Sequence, residues 1–488
     1  ADEFDTENDN LAIGRSALGG SVAGGEYNVA IGNYSLDALT SADKTTAVGY
    51  GSGTGLTTGS LNTFMGYQSA AAITSGARNV IIGHEAADAA TTPDRCIIIG
   101  DGAAGIGVLT GNDNIVIGAA AGEDLTTGTR HTLIGTGAGQ NITEGNNATF
   151  IGYDAGTNVT TEHNNTAIGR ASFAGAVNGG EYNVAIGNFT LDALTSADSN
   201  VAIGYQAGSG IQDGGFNVFV GDISGKATNS GTGNVAVGRN SLVTNTSGSR
   251  NVALGQNAVE YPDTENDNLG IGYNALAGAN IAGAEYNVAI GNYALDALTS
   301  GDSNTALGYN AGGGVTTGYN NSFLGIGSGQ GLTTGYSNVL LGANAAHSNS
   351  VDLTTGYQNT LVGRNIQTTA SDSYQANGLG YFLSCEGGYT TVGQSGSDIR
   401  AAHGTATWAQ VSDERFKKNI QTSDAGLAVI NDLRPVTYNW KTMGEIPEWS
   451  RWYEEGSDQQ YRNSKLNHGF VAQEVKAVID SHSELKDG

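Results

Sequence analysis

A five-residue pattern of hydrophobic and polar positions recurs along the first three quarters of the chain. It ends in glycine and usually begins with asparagine, as in NVAIG at 28–32, NVIIG at 79–83 and NVFVG at 217–221. We number its positions −4 to 0, with the glycine at 0. The pattern continues from Gly14 to Gly363. A nearly constant period of about 17 residues over such a length predicts a solenoid in which every coil packs on its neighbours.

The three residues before each glycine predict one short strand per coil. Positions −3 and −1 are mostly β-branched, as in Val201 and Ile203, and period-two alternation of such residues is typical of strands. We expect these two side chains to line the inside of the coil. Position −2 would then point outward, yet it is also apolar, as in Ala185 and Phe219. Since a strand that faces water carries polar residues, we predict that further copies of the chain cover position −2 in a cyclic assembly.

Asparagine occupies position −4 in 17 of the 21 pentapeptides. In coils stacked ~4.8 Å apart, such side chains can form a hydrogen-bonded ladder along the solenoid. A polar binding stripe is the alternative role for these asparagines. The exceptions at position −4 are Thr45, Cys96, His131 and Ala148. We expect His131 to substitute within the ladder rather than to act as a ligand. About 22 coils predict a rod on the order of 100 Å long.

Longer blocks of the repeat are duplicated. The sequence EYNVAIGNYSLDALTSAD at 26–43 recurs with few changes at 181–198 and 285–302, which indicates duplication of several coils at once. The acidic sequence DTENDN at 5–10 lacks the glycine and terminal glutamate of a twelve-residue calcium loop. We therefore predict a solvated acidic turn there, with calcium binding as the alternative.

Composition narrows the possible functions. The chain has 76 Gly but only 4 Pro, which excludes collagen, and its net charge of −26 argues against a nucleic-acid partner. The sequence contains no run of 18 apolar residues, so it predicts no membrane-spanning helix. Two cysteines, Cys96 and Cys385, fit neither a disulfide framework nor a metal site and are expected to be buried apolar side chains. We predict no metal and no cofactor.

The last part of the chain has a different composition. All four Trp lie beyond residue 400, and this change in composition indicates a domain boundary after the repeats. We predict a solenoid over 1–370, a connector over 371–411 and a small α+β domain over 412–488. In that domain, 424–433 is predicted as a helix that ends before the proline at 435, and VTYNWK as a strand. The sequence HGFVAQEVKAVIDS is predicted as a short strand that continues into an amphipathic helix.

The pentapeptides resemble the head repeats of YadA-like trimeric adhesins. The resemblance lies in the NVAIG-type sequence and extends over about residues 10–365. It implies a left-handed parallel β-roll and a homotrimer.

Three motifs near the C-terminus resemble the peptidase S74 family. They are WAQVSDERFKKNI at 408–420, LRPVTYNWK at 433–441 and HGFVAQEV at 468–475, in the order that the family has. This family is the intramolecular chaperone at the end of endosialidase tailspikes and other phage fibres. The resemblance implies that the domain trimerises the preceding fibre and then cuts itself off. It also implies further segments after the last motif, so we expect the natural chain to continue beyond 488.

The same resemblance implies the residues of self-cleavage. Ser412 corresponds to the nucleophile, the Val411–Ser412 bond to the scissile bond and Lys417 to the general base. His468 precedes the GFVAQE sequence and is implicated in the family. Three more residues fall in the shared motifs, namely Asp413, Arg415 and Gln473.

These observations favour a structural protein over an enzyme that acts on other molecules. We expect a trimeric bacteriophage tail fibre, extracellular on the virion, that binds a host cell-surface receptor and whose only catalysis is serine-type self-cleavage. A cellular trimeric adhesin at the cell surface is the alternative, but it would carry a coiled-coil stalk and a membrane anchor. A polysaccharide-degrading tailspike and a threonine-array ice binder are weaker alternatives. We expect no nucleic-acid partner and no membrane insertion.

Overall fold

The computed structural model describes residues 9–278, 283–347, 352–404, 409–410, 427–448, 450, 453–462 and 464–482. The chain divides into two compact units, 1–411 and 412–488. The predicted fold class, a long parallel β-solenoid followed by a small region with helices and strands, is confirmed.

Each solenoid coil contributes one three-residue strand, and consecutive strands pair in parallel. Val184 pairs with Val201 and Val201 with Val218, each one coil further along the chain. The remainder of each coil consists of turns. The strands are β1 Leu11–Ile13, β2 Val29–Ile31, β3 Thr46–Val48, β4 Thr63–Met65, β5 Val80–Ile82, β6 Ile97–Ile99, β7 Ile115–Ile117, β8 Thr132–Ile134, β9 Thr149–Ile151, β10 Thr166–Ile168, β11 Val184–Ile186, β12 Val201–Ile203, β13 Val218–Val220, β14 Val235–Val237, β15 Val252–Leu254, β16 Leu269–Ile271, β17 Val288–Ile290, β18 Thr305–Leu307, β19 Ser322–Leu324, β20 Val339–Leu341 and β21 Thr360–Val362.

The segment after the last pentapeptide extends the same sheet. Strands β23 and β25 continue the parallel pairing from β21, whereas β26 and β27 add to it in antiparallel fashion. Two further strands, β22 and β24, form a separate parallel pair. The bounds are β22 Gln367–Thr368, β23 Asn377–Tyr381, β24 Ser384–Cys385, β25 Tyr389–Gln394, β26 Ser397–Ala402 and β27 Ala409–Gln410.

The inside of each coil holds position −2, so our prediction of which side chains face inward is wrong. Ala185 and Phe219 at this position are fully buried within the single chain, whereas Ile203 at position −1 remains 37% exposed. The physical reason is the asparagine at position −4. It is also buried, and because side chains alternate along a strand, positions −4 and −2 share the inner face. Positions −3 and −1 therefore face outward.

In most coils, a large side chain at position −2 accompanies a small residue four positions after the glycine, or the reverse. Leu191 and Ala185 fill the inside of one coil as a large and small pair. Where position −2 is Phe219, Gly208 and Gly225 lie against its ring, and a Cβ on Gly225 would collide with the ring. This complementarity keeps the core close-packed although the size of residue −2 varies from coil to coil.

The predicted asparagine ladder is present. Asn200 accepts a hydrogen bond from the Asn217 main-chain N–H at 3.0 Å through its Oδ1. Its Nδ2 donates to the carbonyl of Gly214 at 3.0 Å, at the corner of the same coil. Each amide therefore ties a strand to the next coil and to the turn. His131 occupies one of these positions and makes equivalent bonds to Gly145 and Ala148.

The glycine at position 0 is required by its neighbours. Gly66 has a φ of +138°, which side chains rarely adopt, and an added Cβ would collide with the carbonyl oxygen of Gly83 in the next coil. The same arrangement recurs at the equivalent glycines along the solenoid, which explains why the period is so regular in sequence.

The C-terminal unit contains two helices and one strand pair among its described residues. They are α1 Leu427–Asp432, β28 Val436–Tyr438, β29 Asn467–Gly469 and α2 Ala472–Ser481. Strands β28 and β29 are antiparallel, with Thr437 opposite His468. The helix before the proline and the strand that leads into a helix are confirmed, whereas the strand after the proline is shorter than predicted and ends at Tyr438.

Candidate functional site

His468 lies at the centre of strand β29 and its side chain is exposed. It borders a depression of about 360 Å³ whose other walls come from β28 and the end of β29, namely Pro435, Val436, Thr437, Gly469 and Phe470. The strand pair thus presents the imidazole beside an accessible, largely apolar surface. Gln473 is the second residue of α2 and is also exposed.

Helix α2 is tied to the preceding segment at both of its ends. Near its first turn, Glu474 accepts two hydrogen bonds from Arg434, one of them from Nε at 3.0 Å. This pair lowers the pKa of the Glu474 carboxyl. At the other end, His482 Nε2 lies 2.9 Å from Asp432 Oδ2. The two contacts fix α2 relative to α1 and β28.

Trp440 forms an aromatic cluster that connects the end of β28 with the chain before β29. Its ring packs edge-on against Tyr438 at 5.3 Å and against Tyr461 at 5.9 Å, and the Arg462 guanidinium lies 4.7 Å from its centroid. Such contacts stabilise a small domain by a modest amount each.

The C-terminal unit has no hydrophobic core of its own in the part that the structure describes. Between 429 and 482, no side chain whose exposure is known is buried. Apolar side chains are instead exposed on both helices and on the strand pair, for example Ile430 at 64%, Leu466 at 60% and Phe470 at 52%. A unit this small gains little stability without burying such residues, so they are available to a partner.

The solenoid carries a second apolar surface. We call positions −3 and −1 of the 21 strands the outer strand face. Residues of this face are partly accessible in the single chain, and the most exposed include Ile13 at 55%, Met65 at 45% and Leu324 at 45%. Position −1 is apolar in every coil from Ile13 to Val362. A continuous apolar stripe of this length exceeds what isolated soluble chains usually expose.

One comparison with known proteins identifies the C-terminal unit. Residues 412–483 match the family model of Peptidase S74, the chaperone of endosialidase. The chain carries an S74 domain. The match covers about a seventh of the chain, and no curated protein or solved structure matches the chain.

Apart from Val411, which directly precedes it, the S74 domain holds the residues that the sequence motifs singled out. The structure describes only two of them, His468 and Gln473. The cleavage-site residues lie outside the described residues; they are Val411, Ser412, Asp413, Arg415 and Lys417. The ion pair of Arg434 with Glu474 was not predicted, although both residues lie within the quoted motifs.

Other reactive groups are buried and inert. Burial raises the pKa of the Cys96 thiol to about 11 and that of Cys385 to about 12, so neither forms a thiolate near neutrality. Burial lowers the pKa of His131 to about 4. Among the described residues, no group of three or more His, Cys, Asp or Glu side chains could hold a metal ion. Neither described helix has the length and apolar character needed to cross a membrane.

Proposed function

We propose that this chain is a trimeric tail-fibre protein of a bacteriophage, assembled by its S74 domain, which then cleaves itself from the solenoid. The observation that carries the proposal is the S74 match at 412–483, directly after a long solenoid. The resemblance of the pentapeptides to YadA-like heads supports a fibrous, trimeric shaft. The fibre would be extracellular on the virion and would bind a host cell-surface receptor.

Two apolar surfaces support a homotrimer. The outer strand face runs the length of the solenoid, and the S74 domain exposes Ile430, Leu466 and Phe470. Trimerisation about a common axis would cover both surfaces with the same residues from other copies, as cyclic symmetry requires. In this arrangement the S74 domain gains a hydrophobic core only when three copies meet, so its folding would depend on assembly.

Self-cleavage would use the Ser412 hydroxyl. Its oxygen attacks the Val411 carbonyl carbon while Lys417 accepts the hydroxyl proton, and the peptide C–N bond breaks as the nitrogen takes up a proton. Water then hydrolyses the resulting ester and frees a fragment that begins at Ser412. A serine needs such a neighbouring base, and nearby cations such as Arg415 would keep Lys417 neutral enough to act. His468 is the second candidate for the base.

Expression of the full-length gene and N-terminal sequencing of the small fragment test this proposal. We expect a fragment that starts at Ser412, and Ser412→Ala should leave one intact chain that still assembles. Lys417→Ala should slow cleavage about 10²–10⁴-fold, as loss of a positioned base does. Ser423→Ala is the matched control in the same segment and should cleave normally. A fragment with another start, or normal cleavage of Ser412→Ala, contradicts the mechanism.

Antibody labelling of purified virions tests the location. We expect label on the tail, with the solenoid retained after cleavage. Label on the surface of uninfected bacterial cells would favour the cellular adhesin instead.

A further inference from the structure

Two corners of the solenoid contain a buried glutamate that binds main-chain N–H groups. Glu162 is only 2% exposed. Its Oε2 accepts from the N–H groups of Thr160 and Thr161 at 2.8 and 3.0 Å, and its Oε1 accepts from Gly179 in the next coil at 2.9 Å. Glu265 makes the same set of bonds one duplicated block later. In both places the coil that follows is longer than most.

In the coil after Glu162, the extra residue forms an exposed bulge at the corner. The corner position that Glu162 occupies is Gly145 in the preceding coil, where an added Cβ would collide with the next turn. The longer coil makes room for the glutamate side chain, and the bulge supplies the third N–H donor. Gly179 at the tip of the bulge has a φ of +102°, and an added Cβ there would meet no atom within 4 Å.

The bulge next to Glu162 has a distinctive sequence. Its tip is Asn178-Gly179, with both residues exposed, whereas the equivalent tip in the first duplicated block is Ala23-Gly24. Asn-Gly occurs at one other place in the chain, Asn377-Gly378. There the glycine lies within strand β23, and a Cβ on it would collide with the sulfur of Cys385.

We propose that Asn178 is a site of spontaneous deamidation and that Glu162 restrains the reaction. The Gly179 main-chain nitrogen loses its proton to hydroxide and attacks the side-chain carbonyl carbon of Asn178. The bond from that carbon to the side-chain nitrogen breaks, and ammonia leaves after taking a proton from water. The product is a five-membered succinimide. Water then opens the ring at either carbonyl to give aspartate or isoaspartate.

Local geometry makes this Asn-Gly pair the reactive one. Ring closure requires the chain to rotate about the bonds between the asparagine side chain and the following nitrogen. Glycine allows this because it lacks a Cβ, and no atom lies within 4 Å of the position that a Gly179 Cβ would take. Gly378 is held in the sheet by its pairing with Leu361 and Thr391.

Glu162 opposes the reaction through its charge. The attacking nitrogen must become an anion, and the carboxylate lies 2.9 Å from it. Even at the dielectric constant of water, a unit charge at about 3 Å makes deprotonation about tenfold less favourable, so about tenfold is the smallest effect expected for this buried carboxylate. The same hydrogen bond also holds the Gly179 N–H in place. Removing the charge should therefore accelerate deamidation at least about tenfold.

Deamidation would alter the coil that it occurs in. It places a new negative charge one residue from the nitrogen that Glu162 binds, and isoaspartate also lengthens the main chain by one carbon atom. Both changes weaken the hydrogen bond from the Gly179 N–H to Glu162. The bulge at Ala23-Gly24 cannot undergo this reaction.

Peptide mapping by mass spectrometry of the aged full chain tests the proposal. The protein is incubated in mildly alkaline buffer, and the asparagine-to-aspartate mass shift and isoaspartate are measured at Asn178 and Asn377. We expect modification at Asn178 well before Asn377, and faster at higher pH. Asn178→Ala, which copies the first block, should remove the modified peptide. Glu162→Gln should raise the rate at Asn178 at least about tenfold, whereas Glu265→Gln should leave that rate unchanged.

The outcomes separate the two parts of the proposal. Equal rates at Asn178 and Asn377, or no modification at Asn178, would overturn the assignment of the site. An unchanged or slower rate in Glu162→Gln would overturn the restraint. If Glu162→Gln also raises the rate at Asn377 or creates new protease-sensitive sites, the acceleration comes from general unfolding and counts against the specific role of Glu162.

Discussion

Replacing Ile203 with lysine tests whether the outer strand face is the contact between copies. Ile203 is 37% exposed in the single chain, which corresponds to roughly 70 Å² and to about 1.8 kcal/mol if a partner covers it. A lysine there loses this burial and places an unpaired charge among aliphatic side chains, at a cost of several kcal/mol for each chain. The inner neighbour Ala202 is unaffected.

The size of the face determines the expected result. It offers two outward positions in each of the 21 strands, so one substitution removes only a small part of the total contact. We therefore expect Ile203→Lys to remain a trimer, with a mass three times the 49.7 kDa of one chain. The strands around β12 should nevertheless open locally, because the penalty is concentrated there.

Light scattering and amide hydrogen exchange together check this prediction. Exchange should accelerate in β11, β12 and β13 of Ile203→Lys and stay unchanged in distant coils. Gln212→Lys is the matched control, because Gln212 is exposed at a turn of the same coil, and it should exchange as the wild type does. A wild-type mass of one chain, or identical exchange in the two variants, would refute the view that this face is an interface.

Three further predictions concern the solenoid itself. Gly66→Ala should lower the free energy of unfolding by more than about 3 kcal/mol, because its Cβ would collide with Gly83 in a backbone conformation that disfavours side chains; denaturant unfolding measures this. Asn217→Ala should cost about 1–3 kcal/mol by leaving buried main-chain groups without partners, and limited proteolysis should detect the opened corner. Acid should destabilise the chain through His131, whose pKa is lowered to about 4 in the folded chain. Between about pH 6.5 and 4 the unfolded chain therefore binds a proton that the folded chain does not. The free energy of unfolding should decrease by up to about 3 kcal/mol as the pH falls through this range. His131→Asn should remove that part of the pH dependence in thermal unfolding, and an unchanged profile would contradict the assignment.

The sequence was sufficient to predict the solenoid, its period and the ladder, but it misled us about which side faces inward. Hydrophobicity alone did not decide, since positions −2 and −1 are apolar in nearly every coil and position −3 is apolar in most of them. The asparagine could have decided, because a ladder residue such as Asn200 must be buried to stack, and residue −2 shares its side of the strand. The apolar residues left outside are then the ones that need a partner.

The candidate site was predictable only through its motifs. Ser412 and Lys417 are ordinary surface residues in any sequence that lacks the surrounding family pattern. The pairing of Arg434 with Glu474 joins residues 40 positions apart, and no local periodicity indicates such a contact. The buried glutamates at the corners, Glu162 and Glu265, could not be predicted either, because an acidic residue in a turn is normally solvated.

The strands keep their pairing even where coil length changes. Leu269 pairs with Val288, and Val339 pairs with Thr360, across coils that are longer than most. Additional residues are accommodated between a glycine and the next asparagine, outside the strand. Whole coils can therefore be inserted or deleted, and residues can be added at a corner, without disturbing the stacking of the neighbouring coils. The length of the solenoid and the residues exposed at its corners can then evolve independently, since adding coils lengthens the solenoid and altering a corner changes only the residues exposed there.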